Sequence, residues 1–124
     1  MTYSAVVPRI ESSDIAMTPL TYEILLALAD GSLHGYGIIK EIESRGGADA
    51  APSTGAMYLA LQRMKGDGLI EQAEAPDGGD DARRRYYRIT AVGRERAELE
   101  SRRLADLVKA ARAKRLLGSA LGGS

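Results

Sequence analysis

The sequence predicts a mainly α-helical fold with one small β-hairpin, and three features of its 124 residues indicate this class. Apolar residues recur at helical spacing in four separate segments. Between Leu69 and Thr90 the pattern changes to two short extended runs, joined by a loop rich in Gly and Asp. Apolar residues make up 44% of the chain, which is enough for one globular core and too many for general disorder. The predicted order is helix, helix, helix, hairpin, helix.

The first helix is predicted to begin at Thr18-Pro19, because Thr is a good N-cap and Pro is favoured at the first helical position. It is expected to end at Asp30-Gly31. Its buried side carries apolar residues at helical spacing: Leu20, Ile24, Ala27 and Leu28. Residues 1–16 show neither a helical nor an alternating pattern, so we expect a flexible N-terminal arm there.

Two further helices are predicted before the hairpin. The second runs from Gly35 or Tyr36 to about Arg45, with isoleucines on its buried side, and ends at a Gly-Gly pair. The third begins after Ser53, which can cap it, and runs to about Lys65, before two closely spaced glycines.

The hairpin and the last helix complete the prediction. The strands are expected at residues 69–75 and 84–90, with a long turn between them. Thr90 is suited to cap a long helix that runs to about Leu117. The Gly- and Ser-rich tail, residues 118–124, is expected to be disordered.

The third helix separates into two faces. One is an apolar stripe that must be buried against the first two helices: Met57, Ala60, Leu61 and Met64. The other, predicted on the opposite side, carries hydrogen-bond donors and no acid: Thr54, Tyr58, Gln62 and Lys65. Such a face is typical of a helix that enters a DNA groove, but it also fits a merely solvated amphipathic helix.

The second strand of the hairpin is rich in arginine. Arg83, Arg84, Arg85 and Arg88 lie within six residues. Arginine forks bind phosphates bidentately, and at a hairpin tip they can enter a minor groove. The alternative interpretation is that they pair with acidic residues of the same hairpin loop: Asp77, Asp80 and Asp81.

Together these elements predict a winged helix-turn-helix DNA-binding domain over residues 17–90, followed by a long C-terminal dimerisation helix over residues 91–117. In that architecture the third helix lies in the major groove with its N-terminal residues nearest the bases. Arg63 and Lys65, further along, would reach phosphates. The predicted DNA-contacting residues are Tyr36, Lys40, Ser53, Thr54, Gly55, Ala56, Tyr58, Gln62, Arg63, Lys65, Arg83, Arg84 and Arg85.

The last helix carries its own apolar stripe: Leu104, Leu107, Val108 and Ala111. This stripe must be buried either on the chain's own body or on a second subunit. We favour a homodimer, because a two-fold pair also supplies the spacing that two recognition helices need on DNA.

Charge and composition limit the other function classes. The chain has 17 basic and 17 acidic residues and no cysteine, so disulfides and thiolate metal sites are excluded. The neutral total conceals six basic and no acidic residues in segments 53–65 and 82–90, against 11 basic and 17 acidic elsewhere. No segment resembles a signal peptide or a membrane span, so we expect a cytoplasmic protein. All six aromatic residues are tyrosines, which we expect near surfaces or grooves.

An enzyme is disfavoured by the scarcity of catalytic side chains. The single histidine, His34, precedes the second helix and is better suited to cap it than to act as a base. We expect no cofactor and no metal ion. The more serious rival is a winged helix that binds proteins and not DNA, and salt dependence of DNA binding distinguishes the two.

Four short motifs in this order resemble the PadR family of bacterial transcriptional regulators: residues 18–25, residues 33–38, residues 55–58 with Leu61 and 68–70, and residues 84–90 with Gly93. The resemblance implies a homodimeric repressor that binds an inverted-repeat operator in double-stranded DNA. It also implies release by a small-molecule effector near the dimer interface. The last helix has no Trp or Phe, so an effector would stack on a Tyr or be absent. Family members commonly carry Thr where this chain has Ala56, so that hydroxyl is missing here.

Overall fold

Four helices and three short strands form the fold in the computed structural model, which describes residues 17–46, 50–76 and 84–118. The mainly α-helical class with a small sheet is confirmed. The predicted arm, most of the predicted tail, and Arg83 with the hairpin tip lie outside the described residues. The elements are α1 (Pro19–Leu28), β1 (Leu33–His34), α2 (Gly35–Gly46), α3 (Thr54–Gly66), β2 (Ile70–Ala73), β3 (Tyr86–Ile89) and α4 (Ala91–Ala113).

The sheet is antiparallel, with strand order β1-β3-β2. Strands β2 and β3 are the predicted hairpin, although each is shorter than expected. Strand β1 was not predicted, because two residues are too few to show an alternating pattern. It pairs Leu33 with Tyr87 and His34 with Tyr86. Strand β3 is therefore central, and it connects the hairpin to His34, the residue that precedes α2.

The core lies where α1, α2 and α3 meet the sheet. The predicted apolar stripe of α3 is confirmed, since all four of its residues are buried. Tyr86 and Tyr87 are also buried, with 8% and 3% of their surfaces exposed. The expectation that every tyrosine lies near a surface or groove is wrong for Tyr86, which packs edge-on against His34 of the unpredicted β1. Tyr87 is buried but still lines a groove.

Three predicted helix caps are confirmed. The hydroxyl oxygens of Thr18, Ser53 and Thr90 accept hydrogen bonds from the backbone N–H three residues later, at 3.1, 3.1 and 2.9 Å. The end of the last helix was placed too late. The Arg115 backbone adopts φ 64°, and the Leu116 N–H donates to the Ala111 carbonyl at 2.8 Å. This is a Schellman ending formed without glycine, so composition did not reveal it.

A tight junction fixes α4 on the rest of the domain. The Thr90 hydroxyl donates to the Gly68 carbonyl at 2.6 Å, and its backbone N–H donates to the Leu69 carbonyl at 3.1 Å. A Cβ atom at Gly93 would collide with that same Leu69 carbonyl oxygen. The α4 backbone therefore packs directly on the chain that leaves α3, and only glycine permits this approach.

Further along, α4 is held against α1 by polar contacts. An Arg94 guanidinium N–H donates to the Ala29 carbonyl at 2.9 Å, where it satisfies a backbone group at the end of α1. The Tyr22 and Ser101 hydroxyls hydrogen bond at 2.6 Å. The first half of α4 is therefore part of the domain, and its second half extends beyond these contacts.

We expect Gly93→Ala to lower the free energy of unfolding by about 1–3 kcal/mol, because its methyl group forces the two backbones apart. The measurement is chemical denaturation at a fixed protein concentration, since subunit association shifts apparent stability. Gly66→Ala is the matched control, because a Cβ there meets no atom within 4 Å. Its stability should stay within about 1 kcal/mol of the wild type. A Gly93→Ala protein as stable as that control would contradict the tight junction.

Candidate nucleic-acid interface

The N-terminal half of α3 presents most of its predicted contact residues to solvent. Thr54, Gly55 and Ala56 are exposed, and Tyr58 has 54% of its surface exposed. A Cβ atom at Gly55 would meet nothing within 4 Å. A groove wall could therefore approach the helix backbone closely at this point.

The predicted donor stripe is not directly opposite the core. With 3.6 residues per turn, the side farthest from the buried stripe passes through Gly55, Leu59 and Gln62. Thr54, Tyr58 and Lys65 flank this side. Leu59 was missed because apolar residues were assigned to the core, yet 66% of its surface is exposed. A leucine outside the apolar stripe was the signal that could have revealed it.

Two of the predicted donors are half-buried in the free chain. The Lys65 ammonium lies 3.5 Å from the Gln72 side-chain oxygen on β2. The Gln62 side-chain nitrogen is buried without a hydrogen-bond partner among the described residues. Turning this amide outwards would therefore break no hydrogen bond at that nitrogen, and pairing it with a base edge would satisfy a donor.

The start of α2 adds a second exposed group. Tyr36 has 60% of its surface exposed, and the Lys40 ammonium lies 5.7 Å from the centre of its ring. The Tyr36 side chain raises the pKa of Lys40 above its ordinary value, and Glu43, 3.4 Å from the ammonium, adds to this. Both interactions favour the charged form of Lys40.

His34 caps α2, as predicted. Its Nδ1 atom accepts a hydrogen bond from the Gly37 backbone N–H at 3.0 Å. The ring also makes an edge-on contact with Tyr86, with ring centres 5.1 Å apart. One side chain thus joins the beginning of α2 to the central strand of the sheet.

Arg84 approaches the other side of the same ring, with a guanidinium nitrogen 2.7 Å from His34 Nε2. A neutral imidazole has one acceptor nitrogen, so Gly37 and Arg84 cannot both donate to it. Of the two groups that could donate to this ring, the Arg84 side chain is the exposed one. The contact positions Arg84 at the surface, and a phosphate oxygen would be a better acceptor for this donor than the ring.

These groups meet around one groove of about 630 Å³ between α2, α3 and β3. Five of the predicted contact residues line it: Tyr36, Thr54, Tyr58, Arg84 and Arg85. The remaining lining residues are His34, Gly35, Ile39, Met57, Leu61 and Tyr87, so the part of the chain that the structure describes contributes no acidic side chain to the groove. The groove combines cationic and hydroxyl donors with apolar walls. This combination suits a nucleic-acid strand, which carries both phosphates and bases.

One arginine of the hairpin has a different role. Arg88 donates to the Glu71 carboxylate at 2.7 Å, and the two residues are partners in the sheet register. One of the predicted basic charges of this strand is therefore already paired within the sheet. The predicted acidic partners in the hairpin loop lie outside the described residues.

The apolar stripe of α4 is only partly covered within one chain. Leu104 lines a pocket of about 250 Å³ with Met17, Pro19 and Tyr22. Beyond it, Leu107 and Val108 have 52% and 42% of their surfaces exposed. The stripe thus continues from the body of the domain into solvent, where it is available to a partner.

Residues 17–46, 50–76 and 84–118 include no helix that is long and apolar enough to cross a membrane. No three His, Cys, Asp or Glu side chains in the same ranges come together as metal ligands would.

Comparison with known proteins places these features in context. The model of the transcriptional regulator PadR-like family matches residues 24–99. Among curated proteins, an uncharacterised 37.1 kDa protein in transposon TN4556 of Streptomyces fradiae is 38% identical over 84 residues, which are 68% of this chain and 22% of that protein. The chain therefore spans less than a quarter of that relative. Uncharacterised protein X of Lysinibacillus sphaericus is 33% identical over 66% of this chain and 74% of its own length.

Solved structures show the same fold. A PadR family transcription regulator from Clostridium difficile is 27% identical, with a TM-score of 0.69 over 82% of this chain and all of the other. A PadR-like regulator from Bacillus cereus is 27% identical, with a TM-score of 0.62 over 81% of this chain and 93% of the other. Bacillus subtilis PadR in complex with operator DNA is 24% identical, with a TM-score of 0.56 over 67% of this chain and 46% of the other.

We expect His34→Ala to lower the free energy of unfolding by about 0.5–2 kcal/mol through loss of the α2 cap. His34→Asn should recover most of this loss, because asparagine is a good N-cap residue. Both variants lose the ring contact with Tyr86, so the difference between them isolates the cap. Denaturant titration measures it, and equal stabilities of the Ala and Asn variants would show that the Nδ1 hydrogen bond contributes nothing.

Proposed function

The chain belongs to the PadR-like family of transcriptional regulators, and we propose that it acts as a homodimeric repressor that binds an inverted-repeat operator in double-stranded DNA. Its place of action is then the cytoplasm, where bacterial operators lie. We further propose that a small-molecule effector releases the DNA, as the family resemblance implies. The observation that carries the DNA-binding role is the groove between α3 and β3, because five predicted contact residues line it.

In this proposal α3 enters the major groove with its N-terminal half foremost. Gly55 permits a close approach of the backbone, and Thr54 and Tyr58 offer hydroxyl groups beside it. Arg63 is exposed in the last turn of the same helix and is suited to a phosphate. Base reading and backbone positioning are thus divided between the two ends of one helix.

The groove beside α3 is suited to hold the sugar–phosphate backbone of one DNA strand. Tyr36 lies on the α2 side and Arg84 and Arg85 lie on the β3 side. An Arg84 guanidinium nitrogen already lies 2.7 Å from His34 Nε2, which is not an acceptor while Nδ1 caps α2. Exchanging that contact for a phosphate oxygen makes a charge-assisted hydrogen bond.

The dimer is supported by the exposed half of the α4 stripe. Leu107 and Val108 continue the line of residues that packs on the domain, but 52% and 42% of their surfaces stay exposed. A second copy related by a two-fold axis would bury both stripes at once. It would also present two α3 helices to half-sites about one helical turn of DNA apart.

The rival function is a winged helix that binds another protein and not DNA. The exposed Leu59 is the observation that favours it, because solvent-exposed leucines are common in protein interfaces. Salt separates the two functions, since neutralising phosphates releases counterions and makes DNA affinity fall steeply with ionic strength.

The decisive experiment is selection of bound duplexes from a random DNA pool at low salt. We expect the recovered sequences to converge on a two-fold symmetric site with strongly salt-dependent affinity. If the protein retards no duplex from the pool or from bacterial genomic DNA, the repressor proposal is wrong and the protein-binding function takes its place.

On the selected duplex, Arg84→Ala and Tyr58→Ala should weaken binding in different ways. The slope of log affinity against log salt is negative. Removing the Arg84 charge should make it less steep by about 0.9 for each bound protomer. The Tyr58 side chain is uncharged, so its removal should leave the slope unchanged, and loss of the hydroxyl contact should cost at least about 1 kcal/mol, or about fivefold in affinity. Fluorescence anisotropy over a salt series measures both quantities.

Arg102→Ala is the matched control for these variants, because Arg102 is exposed on α4, away from the groove. Its affinity and slope should equal those of the wild type. An Arg84→Ala protein with the wild-type slope would remove Arg84 from the phosphate contacts.

We expect Leu107→Glu to raise the dissociation constant of the dimer by more than about a hundredfold, because it places an unpaired charge in each half of the buried stripe. Light scattering across a dilution series measures this constant. Operator affinity should fall in parallel. Leu99→Glu is the control, since Leu99 is equally exposed, at 53%, but lies off the stripe. A dimer that tolerates Leu107→Glu as well as Leu99→Glu would place the interface elsewhere.

A further inference from the structure

Leu59 is out of place on the surface of α3. Among the large apolar side chains of residues 17–46, 50–76 and 84–118, only Leu116, beyond the end of α4, has a larger exposed fraction. Leu59 lies on the side of the helix farthest from the core, between residues suited to contact DNA. Such a residue makes no contribution to the core and leaves apolar surface in water, where it is unfavourable.

The turn before Leu59 leaves it uncovered. Residues four apart on a helix share a face, so the residue on the N-terminal side of Leu59 is Gly55. Gly55 has no side chain, and the space beside it is empty to at least 4 Å. The leucine is therefore accessible from the front and from the N-terminal side, where the bases would lie.

The chemistry of Leu59 selects one kind of partner in a major groove. A leucine can neither donate to a phosphate nor pair with the polar edges of guanine, cytosine or adenine. Covering those edges with a leucine would leave polar groups without hydrogen bonds, which is unfavourable. The one apolar group on the base edges is the C5-methyl of thymine.

We propose that Leu59 determines operator specificity by packing against the C5-methyl group of one thymine in each half-site. This inference rests on the proposed DNA-binding function and adds to it one recognised base. It assigns the exposed leucine a role that does not require a protein partner. It also makes a methyl group, and not a hydrogen bond, the basis of discrimination at that position.

The test replaces thymines of the selected duplex, one at a time and in one half-site, by deoxyuridine, which removes only the methyl group. Affinities of the full-length wild type and of Leu59→Ala are measured by fluorescence anisotropy at one salt concentration. Wild-type binding should weaken about fourfold at one thymine, as expected for loss of one buried methyl group. Leu59→Ala should bind the unmodified duplex more weakly and lose nothing further when that thymine is replaced.

Folding of the variant is not at risk, because Leu59 is exposed and alanine is the best helix former. Leu99→Ala is the control and should keep both the wild-type affinity and the sensitivity to deoxyuridine.

The remaining outcomes distinguish a failure of the Leu59 assignment from a failure of the proposed repressor function. If the wild type binds the selected duplex and Leu59→Ala binds it equally well, or keeps the sensitivity to deoxyuridine at every position, the Leu59 assignment is wrong and the repressor function stands. A wild type that is insensitive to every deoxyuridine replacement has the same consequence. If the wild type binds no duplex, both are wrong.

Discussion

The contact of the α4 backbone with the Leu69 carbonyl is the constraint on which the arrangement of this protein depends. Gly93 permits the contact, and Thr90 secures it through bonds to the carbonyls of Gly68 and Leu69. Gly68 and Leu69 directly follow the end of α3. The direction of the 23-residue α4 is therefore set by the end of the helix that carries the candidate DNA contacts. Because α4 is about 35 Å long, a small rotation at the junction produces a large displacement of the far end of α4.

The parts of the fold that the sequence predicted correctly are those governed by local chemistry. Thr18, Ser53 and Thr90 cap their helices because a hydroxyl three residues before a free backbone N–H has the right reach. The buried stripe of α3 follows from helical spacing alone. The structure brings Thr54, Tyr58, Arg84 and Arg85 together around one groove, and their contact with DNA stays a prediction.

The features that could not be predicted arise from contacts between distant segments. The two residues of β1 form a strand only because β3 is beside them, and this pairing is what buries Tyr86. The charge of Arg88 is matched across the sheet by Glu71, whose position depends on the register. The end of α4 depends on the unusual backbone conformation of Arg115, which no residue preference indicates. Leu59 was not among the predicted contact residues, because periodicity detects apolar residues on a face and does not show which surface remains open.

The position of His34 has a consequence for the conformational entropy of binding. Its ring connects the first turn of α2 to Tyr86 and lies against Arg84, so the two walls of the groove are ordered relative to each other before any ligand arrives. A ligand that contacts both walls need not immobilise them, and less of its interaction energy is lost to that ordering. The groove is thus pre-organised by a histidine that itself lines it.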